Sequence, residues 1–284
     1  MISLPFIALF LAVPAAWTSA ARWLVPSLLA VIYFAAFANG QLTPLAAIPL
    51  ALLLVAAFAV GPHRQAPTRY VGHALFIVLA AALSMHWLPG FHNPRVIGPE
   101  RFTADALPFT MYLNLDKPLV CFWLLLALPW MRPRNPVLTS IQAGTVGMAA
   151  TTIVCLFLAL LLGTVRWEPK WPTSTWLFML NNLLLVTVTE ETLFRGYIQG
   201  GLSRLLRHLA HADIIALGIA SIVFGLAHYS GGWQWIVLAS IAGLGYGLAY
   251  RFGGLSAAIL THFGLNAAHF LLFTYPMLQA PGAS

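Results

Sequence analysis

Leu185-Val186-Thr187-Val188-Thr189-Glu190-Glu191-Thr192-Leu193-Phe194-Arg195 sets two adjacent carboxylates and a guanidinium at the end of an apolar run, 174–194. A membrane-spanning helix needs about 20 mostly apolar residues, and this run has that length. A charge at the centre of such a helix costs about 2.5–3.5 kcal/mol on insertion scales, so two in succession need partners or a purpose.

Nine further runs have the same character: 2–21, 23–38, 44–61, 70–88, 118–131, 143–164, 213–229, 233–250 and 255–275. The run 118–131 is short for a span and reads as tilted or partly re-entrant. The run 2–21 closes on Thr18-Ser19-Ala20-Ala21, which resembles a cleavage site, but it lacks a basic start and reads as a span. The whole chain is 60% hydrophobic and 7% charged, against about 25% charged in soluble domains. Its mean hydropathy is +0.85. A secreted globular domain, a cytosolic enzyme and a disordered tail are thereby excluded. The expected fold is all-α, a polytopic transmembrane helical bundle of eight to ten spans. Residues 1–170 form N-terminal transmembrane helices with a long loop at 89–117. Residues 171–284 form a core whose chemistry sits in the last four helices.

The chain has 14 Lys+Arg against 7 Asp+Glu, but the basic residues lie in the gaps between runs, as topology signals do. A nucleic-acid partner is therefore not expected; the partner is the lipid bilayer. If all ten runs span, Arg22, Arg64, Arg69, Arg132, Arg134, Arg195, Arg204, Arg207 and Arg251 share one side. Arg95, Arg101, Lys117, Arg166 and Lys170 share the other. This excess puts both termini outside the cytosol of a bacterial-type inner membrane. Cys121 and Cys155 lie within apolar runs, which argues against a disulfide framework or a Cys-rich metal site. The stretch 89–117 carries Glu100, Asp105 and Asp116 with Phe102, Phe109 and Tyr112. It is expected on the membrane surface or packed over the bundle, as a connecting loop more readily than a substrate lid.

Helix geometry divides the two carboxylates. Glu191 and Arg195 are four apart with Glu first, the better order for an ion pair. Glu190 is turned about 100° away. Glu191 is thus read as structural, neutralised by Arg195, and Glu190 as the carboxylate available for chemistry. The plain alternative is that both mark the membrane edge.

Polar groups recur at helical spacing in later runs. Phe224-Gly225-Leu226-Ala227-His228 puts an imidazole one turn after an aromatic. In Thr261-His262-Phe263-Gly264-Leu265-Asn266-Ala267-Ala268-His269, positions 262, 266 and 269 share one face. Taken singly, His86 and His269 read as packing residues. With a turn at 208–212, Glu190 stands about 25 Å above it and His228 about 22 Å. His262 and Asn266 stand about 12 and 18 Å above Gly254 on the same side. Helix tilt closes such gaps, so all four can converge within the membrane. Gly196-x3-Gly200 and Gly243-x-Gly245-x-Gly247 read as close-packing positions between helices.

Glu190-Glu191-x3-Arg195, Phe224-x3-His228 and His262-x3-Asn266 together resemble the three ordered motifs of the CAAX-protease and bacteriocin-processing (CPBP, or Abi) intramembrane proteases. The resemblance covers roughly residues 174–275. It implies an intramembrane endopeptidase acting on a protein or peptide substrate in or at the membrane. It further implies that Glu190 and His228 activate a water and that His262 and Asn266 stabilise the oxyanion. Glu191, Arg195 and Phe224 support the site. The family has been described both as metal-independent glutamate proteases and as metalloproteases.

The chemistry is physically sound, because a buried carboxylate can be poised as a general base near neutral pH. Donors fixed in a low-dielectric cavity stabilise a developing oxyanion, single donors being worth about 2.7–4 kcal/mol. No cofactor is expected. The rival is zinc or another divalent ion on Glu190, His228 and His262, one carboxylate and two imidazoles, although H-E-x-x-H is absent. Other classes are a proton-coupled transporter, since Glu and His also form proton relays, and a non-catalytic membrane binding protein. No inverted repeat is evident to favour transport.

Overall fold

A computed structural model describes residues 3–18, 20–131 and 135–279. Ser19, in the cleavage-like sequence, and Arg132 and Arg134, in the charge count, lie outside the described residues. Among the described residues there are nine helices and one short strand pair. The helices are α1 (Leu4–Ala15), α2 (Ala21–Ala38), α3 (Ala47–Ala59), α4 (Ala66–Ser84) and α5 (Leu119–Ala127). They continue as α6 (Val137–Leu161), α7 (Thr175–Leu205), α8 (Ala212–Leu226) and α9 (Trp233–Leu272). The strands are β1 (Arg95–Glu100) and β2 (Phe109–Tyr112).

Five helices, α2, α4, α6, α7 and α9, are long and apolar enough to cross a membrane. Their outward side chains are apolar: Phe34, Val78 and Ile153 are exposed, whereas Glu191, Thr192, Arg195 and Thr261 are wholly buried. That distribution inverts a water-soluble protein's and suits a hydrocarbon solvent, in which polar groups must find partners inside. The protein is a polytopic helical membrane bundle. The helix in run 118–131 keeps only 9 residues, about 14 Å, too short for the roughly 30 Å hydrocarbon core. Leu119 to Leu125 are all buried, so this helix packs inside protein.

The chain forms two packing units that interleave in sequence. One comprises 1–95, 112–132 and 184–189; the other comprises 96–111, 133–183 and 190–284. In the first, α1 packs on α2, α3 on α4, and α5 touches α2, α3 and α4. Trp123 of α5 stacks on Phe76 at 3.8 Å and donates its indole N–H to the backbone oxygen of Leu53 at 2.8 Å. Asp116, expected in a loop, is 2% exposed. It is held by His86 Nδ1 at 2.6 Å, Asn93 Nδ2 at 3.1 Å and the Lys117 backbone N–H at 2.9 Å.

The second unit is built on α6, most of α7, α8 and α9. Helix α6 ends where Gly163 takes φ 65°, a left-handed helix stop that glycine adopts without a Cβ clash. Helix α9 breaks at Gly254, with φ 74° and ψ −167°. The break is a reversal, because Tyr246 and His262 stack with ring centroids 4.4 Å apart. Sixteen residues of straight helix would separate them by about 24 Å. The two arms of α9 thus correspond to the runs 233–250 and 255–275.

Glycines set the closeness of these helices. A Cβ on Gly245 would collide with Thr151 of α6, and one on Gly247 with Leu217 of α8. A Cβ on Gly225 of α8 would strike Ser240 Oγ and stand 2.6 Å from the backbone oxygen of Ile236. A backbone atom cannot rotate away, so Gly225→Ala is expected to destabilise by about 1–3 kcal/mol. Denaturation in detergent should show this; an unchanged midpoint would mean that α8 and α9 are not this close.

The stretch 96–111 is tied to the second unit, against the expectation of a plain connecting loop. Phe102 and Phe109 join Phe178, Phe270 and Tyr275 in one aromatic cluster. Asp105 pairs with Arg166 at 3.0 Å, and the Gln279 backbone N–H donates to the backbone oxygen of Asp105 at 2.8 Å. The pairing of β1 with β2 was not foreseen. Tyr112 remains exposed.

Candidate active site

The carboxylate pair lies where α7 departs from regular geometry. Val188–Glu191 is one α-helical turn between two wider i→i+5 segments, Asn182–Thr187 and Thr192–Gln199. Such bulges shift the register of a helix face and are frequent at functional sites. Glu191 and Arg195 make the i,i+4 ion pair, Arg195 Nε to Glu191 Oε2, at 3.2 Å, both wholly buried. The other oxygen of Glu191 accepts from His262 Nδ1 at 2.8 Å. One buried carboxylate therefore bridges α7 to the second arm of α9 and fixes the His262 ring, which also lies flat on Tyr246.

The Arg195 guanidinium is held mainly by aromatic faces. Its Cζ is 5.2 Å from the Phe224 ring centre and 6.0 Å from that of Tyr246, within cation–π range. Its Nη1 and Nη2 atoms have no hydrogen-bond partner. Gly243 and Gly247 leave it room, since a Cβ at either would approach its nitrogens to 3.2 and 3.4 Å.

Phe224 is the hub of the second motif. Its ring lies 4.7 Å from His228, 5.7 Å from His262 and 5.0 Å from Phe194. His228 itself lies just beyond α8, before the turn Tyr229–Gly231, and is half-buried. Its Nδ1 is 2.8 Å from the backbone oxygen of Phe224. A carbonyl only accepts, so Nδ1 carries the proton, and Nε2 of the neutral ring is left as a proton acceptor.

A cavity of about 90 Å³ is lined by His228, His262 and Asn266, together with Tyr246 and His269. The rest of its lining is largely apolar and includes Cys155, Leu156, Leu238 and Leu265. Asn266 Nδ2 donates to Asn182 Oδ1 at 3.3 Å, which leaves its second N–H for another acceptor. Glu190 is half-buried and does not line this cavity. It is nonetheless close enough to Tyr246 to interact with it electrostatically. Three of the four sequence-derived catalytic residues therefore line one cavity, and Glu190 is not among its lining residues.

Sequence reading passed over Asn182 and Tyr246. Asn181-Asn182 was a visible signal, an amide pair inside an apolar run two turns before Glu190. Tyr246 gave none, because a tyrosine in an apolar helix is ordinary. His269, read as a packing residue, lines the cavity and sits 3.2 Å by Nε2 from the backbone oxygen of Thr274. Beside it, Lys170 donates to the backbone oxygen of Phe273. Burial holds that amine below its usual range, and Glu168 opposes the shift.

Among the described residues, no three His, Cys, Asp or Glu side chains converge to hold a metal ion. The set Glu190, His228 and His262 does not form such a group in this arrangement.

Neither the curated proteins nor the solved structures include a match to this chain. Residues 171–268 match the family model described as Type II CAAX prenyl endopeptidase Rce1-like, a family of membrane proteases. That match covers about a third of the chain and encloses all three motifs, so this segment is similar to that family.

Proposed function

We propose that the protein is an intramembrane endopeptidase that cuts a membrane-associated or C-terminally processed protein without a metal. The observation that carries this reading is the one cavity that His228, His262 and Asn266 all line. Glu190 and His228 take a proton from water, with His228 Nε2 as the acceptor, and the resulting hydroxide attacks the scissile carbonyl. The tetrahedral intermediate collapses as the leaving amine regains a proton from the same pair.

Asn266 donates its amide N–H to the oxyanion. His262 has its Nδ1–H committed to Glu191, so in the neutral ring Nε2 accepts. His262 therefore donates to the oxyanion only as an imidazolium, whose charge Glu191 faces directly. The apolar part of the cavity receives an apolar side chain next to the scissile bond. The setting is a bacterial-type inner membrane.

The test compares protein termini in membranes from cells expressing wild type and Glu190→Gln at matched levels, each repeated after exhaustive chelation. New termini are expected only with wild type, and they should persist under chelation. Wild-type termini identical to those of membranes lacking the protein would overturn the protease reading; new termini shared by wild type and Glu190→Gln would remove Glu190 from it; loss on chelation would overturn the metal-free one.

A further inference from the structure

A second cavity, of about 460 Å³, lies away from the catalytic wall, at the turn between α7 and α8. It is lined by Arg207, His211 and Arg251, with Ser203 and Asp213 beside them. These basic groups come from three places: the turn after α7, the residue before α8, and the first arm of α9 near the Gly254 reversal. Among the described residues neither guanidinium is in an ion pair. Asp213 accepts from the Ser203 hydroxyl. With His211 neutral, the wall carries two positive charges against one negative.

Two further observations define the ligand. First, α8 starts at this cavity without a side-chain cap: His211 caps it with φ 63°, and Ala212 and Asp213 line the wall. Backbone N–H groups at the start of a 15-residue helix favour an anion. Second, the surroundings are apolar and outward-facing. Leu205, Leu209, Ile214 and Phe252 are all exposed. A small inorganic anion gains nothing from such a rim, whereas a lipid's acyl chains do.

We propose that this cavity binds the phosphate headgroup of an anionic phospholipid, gripped by Arg207 and Arg251 while the acyl chains lie along the exposed apolar rim. Basic pockets between transmembrane helices on the positively charged side suit such headgroups. Guanidinium forks match phosphate oxygens in pairs.

The test is native mass spectrometry and lipid titration of the full-length protein. Phosphatidylglycerol is compared with phosphatidylcholine, and inorganic phosphate serves as competitor. Wild type should retain phosphatidylglycerol and discriminate against phosphatidylcholine. Arg207→Gln with Arg251→Gln should weaken phosphatidylglycerol binding by about tenfold or more, and each single change by less. Both arginines are exposed, so the unfolding midpoint should not move. If the double variant does unfold, the single variants carry the measurement. Equal affinity for the two lipids, or unchanged affinity in every variant, would overturn the proposal. Displacement by millimolar inorganic phosphate would assign the cavity to a soluble anion and overturn the lipid reading.

Discussion

Arg195→Met is expected to destabilise the folded protein by about 3–5 kcal/mol, the scale at which one partner of a buried ion pair is lost. Glu191 has no water to turn to, because both side chains are wholly buried. Removing the guanidinium leaves its carboxylate with the His262 Nδ1–H at 2.8 Å. The aromatic faces of Phe224 and Tyr246 lose their cation in the same change. Arg195→Lys should recover only part of the loss. An ammonium can reach Glu191 but cannot lie flat between two rings. The double change Arg195→Met with Glu191→Gln should be more stable than Arg195→Met alone, since it removes the uncompensated charge. Unfolding midpoints in mild detergent across the cycle would show this. A loss below about 1 kcal/mol for the single change would mean that the pair is not buried as described.

The same triad shows how far the sequence could be read. The Glu191–Arg195 pairing followed from helix spacing alone, because i,i+4 partners are decided within one element. The bridge from Glu191 to His262 did not, because it depends on how two distant helices are rotated about their axes. The depth argument placed His262 and His228 at compatible heights, but height does not fix azimuth. Even the azimuth of Glu190 was beyond reach, since the i→i+5 segments on both sides of Glu190-Glu191 shift the face from its ideal 100° step.

Larger architecture followed a similar division. Apolar runs located α2, α4, the end of α6 and the start of α7 within a few residues, because hydrocarbon solvent demands length and apolarity regardless of packing. Gly253-Gly254 marked the reversal in α9, where a positive φ is needed. The strand pair escaped notice because Arg95-Val96-Ile97-Gly98-Pro99-Glu100 has two β-branched residues followed by two strand breakers. The burial of Asp116 escaped for the same reason as the His262 bridge: its partners, His86 and Asn93, come from another part of the chain.

Glu190→Gln and His228→Asn are each expected to lower kcat by about 10²–10⁴, the range for loss of a general base, with KM little changed. Neither residue is asked to hold substrate, which the apolar cavity lining and Asn266 do. Glutamine keeps the size of the side chain but cannot take a proton. Asparagine at 228 can still donate to the Phe224 carbonyl while it loses the Nε2 acceptor. If the two act on one water as a unit, the double variant should lose little beyond the worse single variant. Losses that multiply would assign them to separate steps and overturn the pairing. Full activity in Glu190→Gln would remove Glu190 from the mechanism altogether. His228 Nε2 would then stand as the base on its own, which is why this pair is the decisive kinetic comparison: His228 lines the cavity, Glu190 does not, and kinetics in the double variant would connect them.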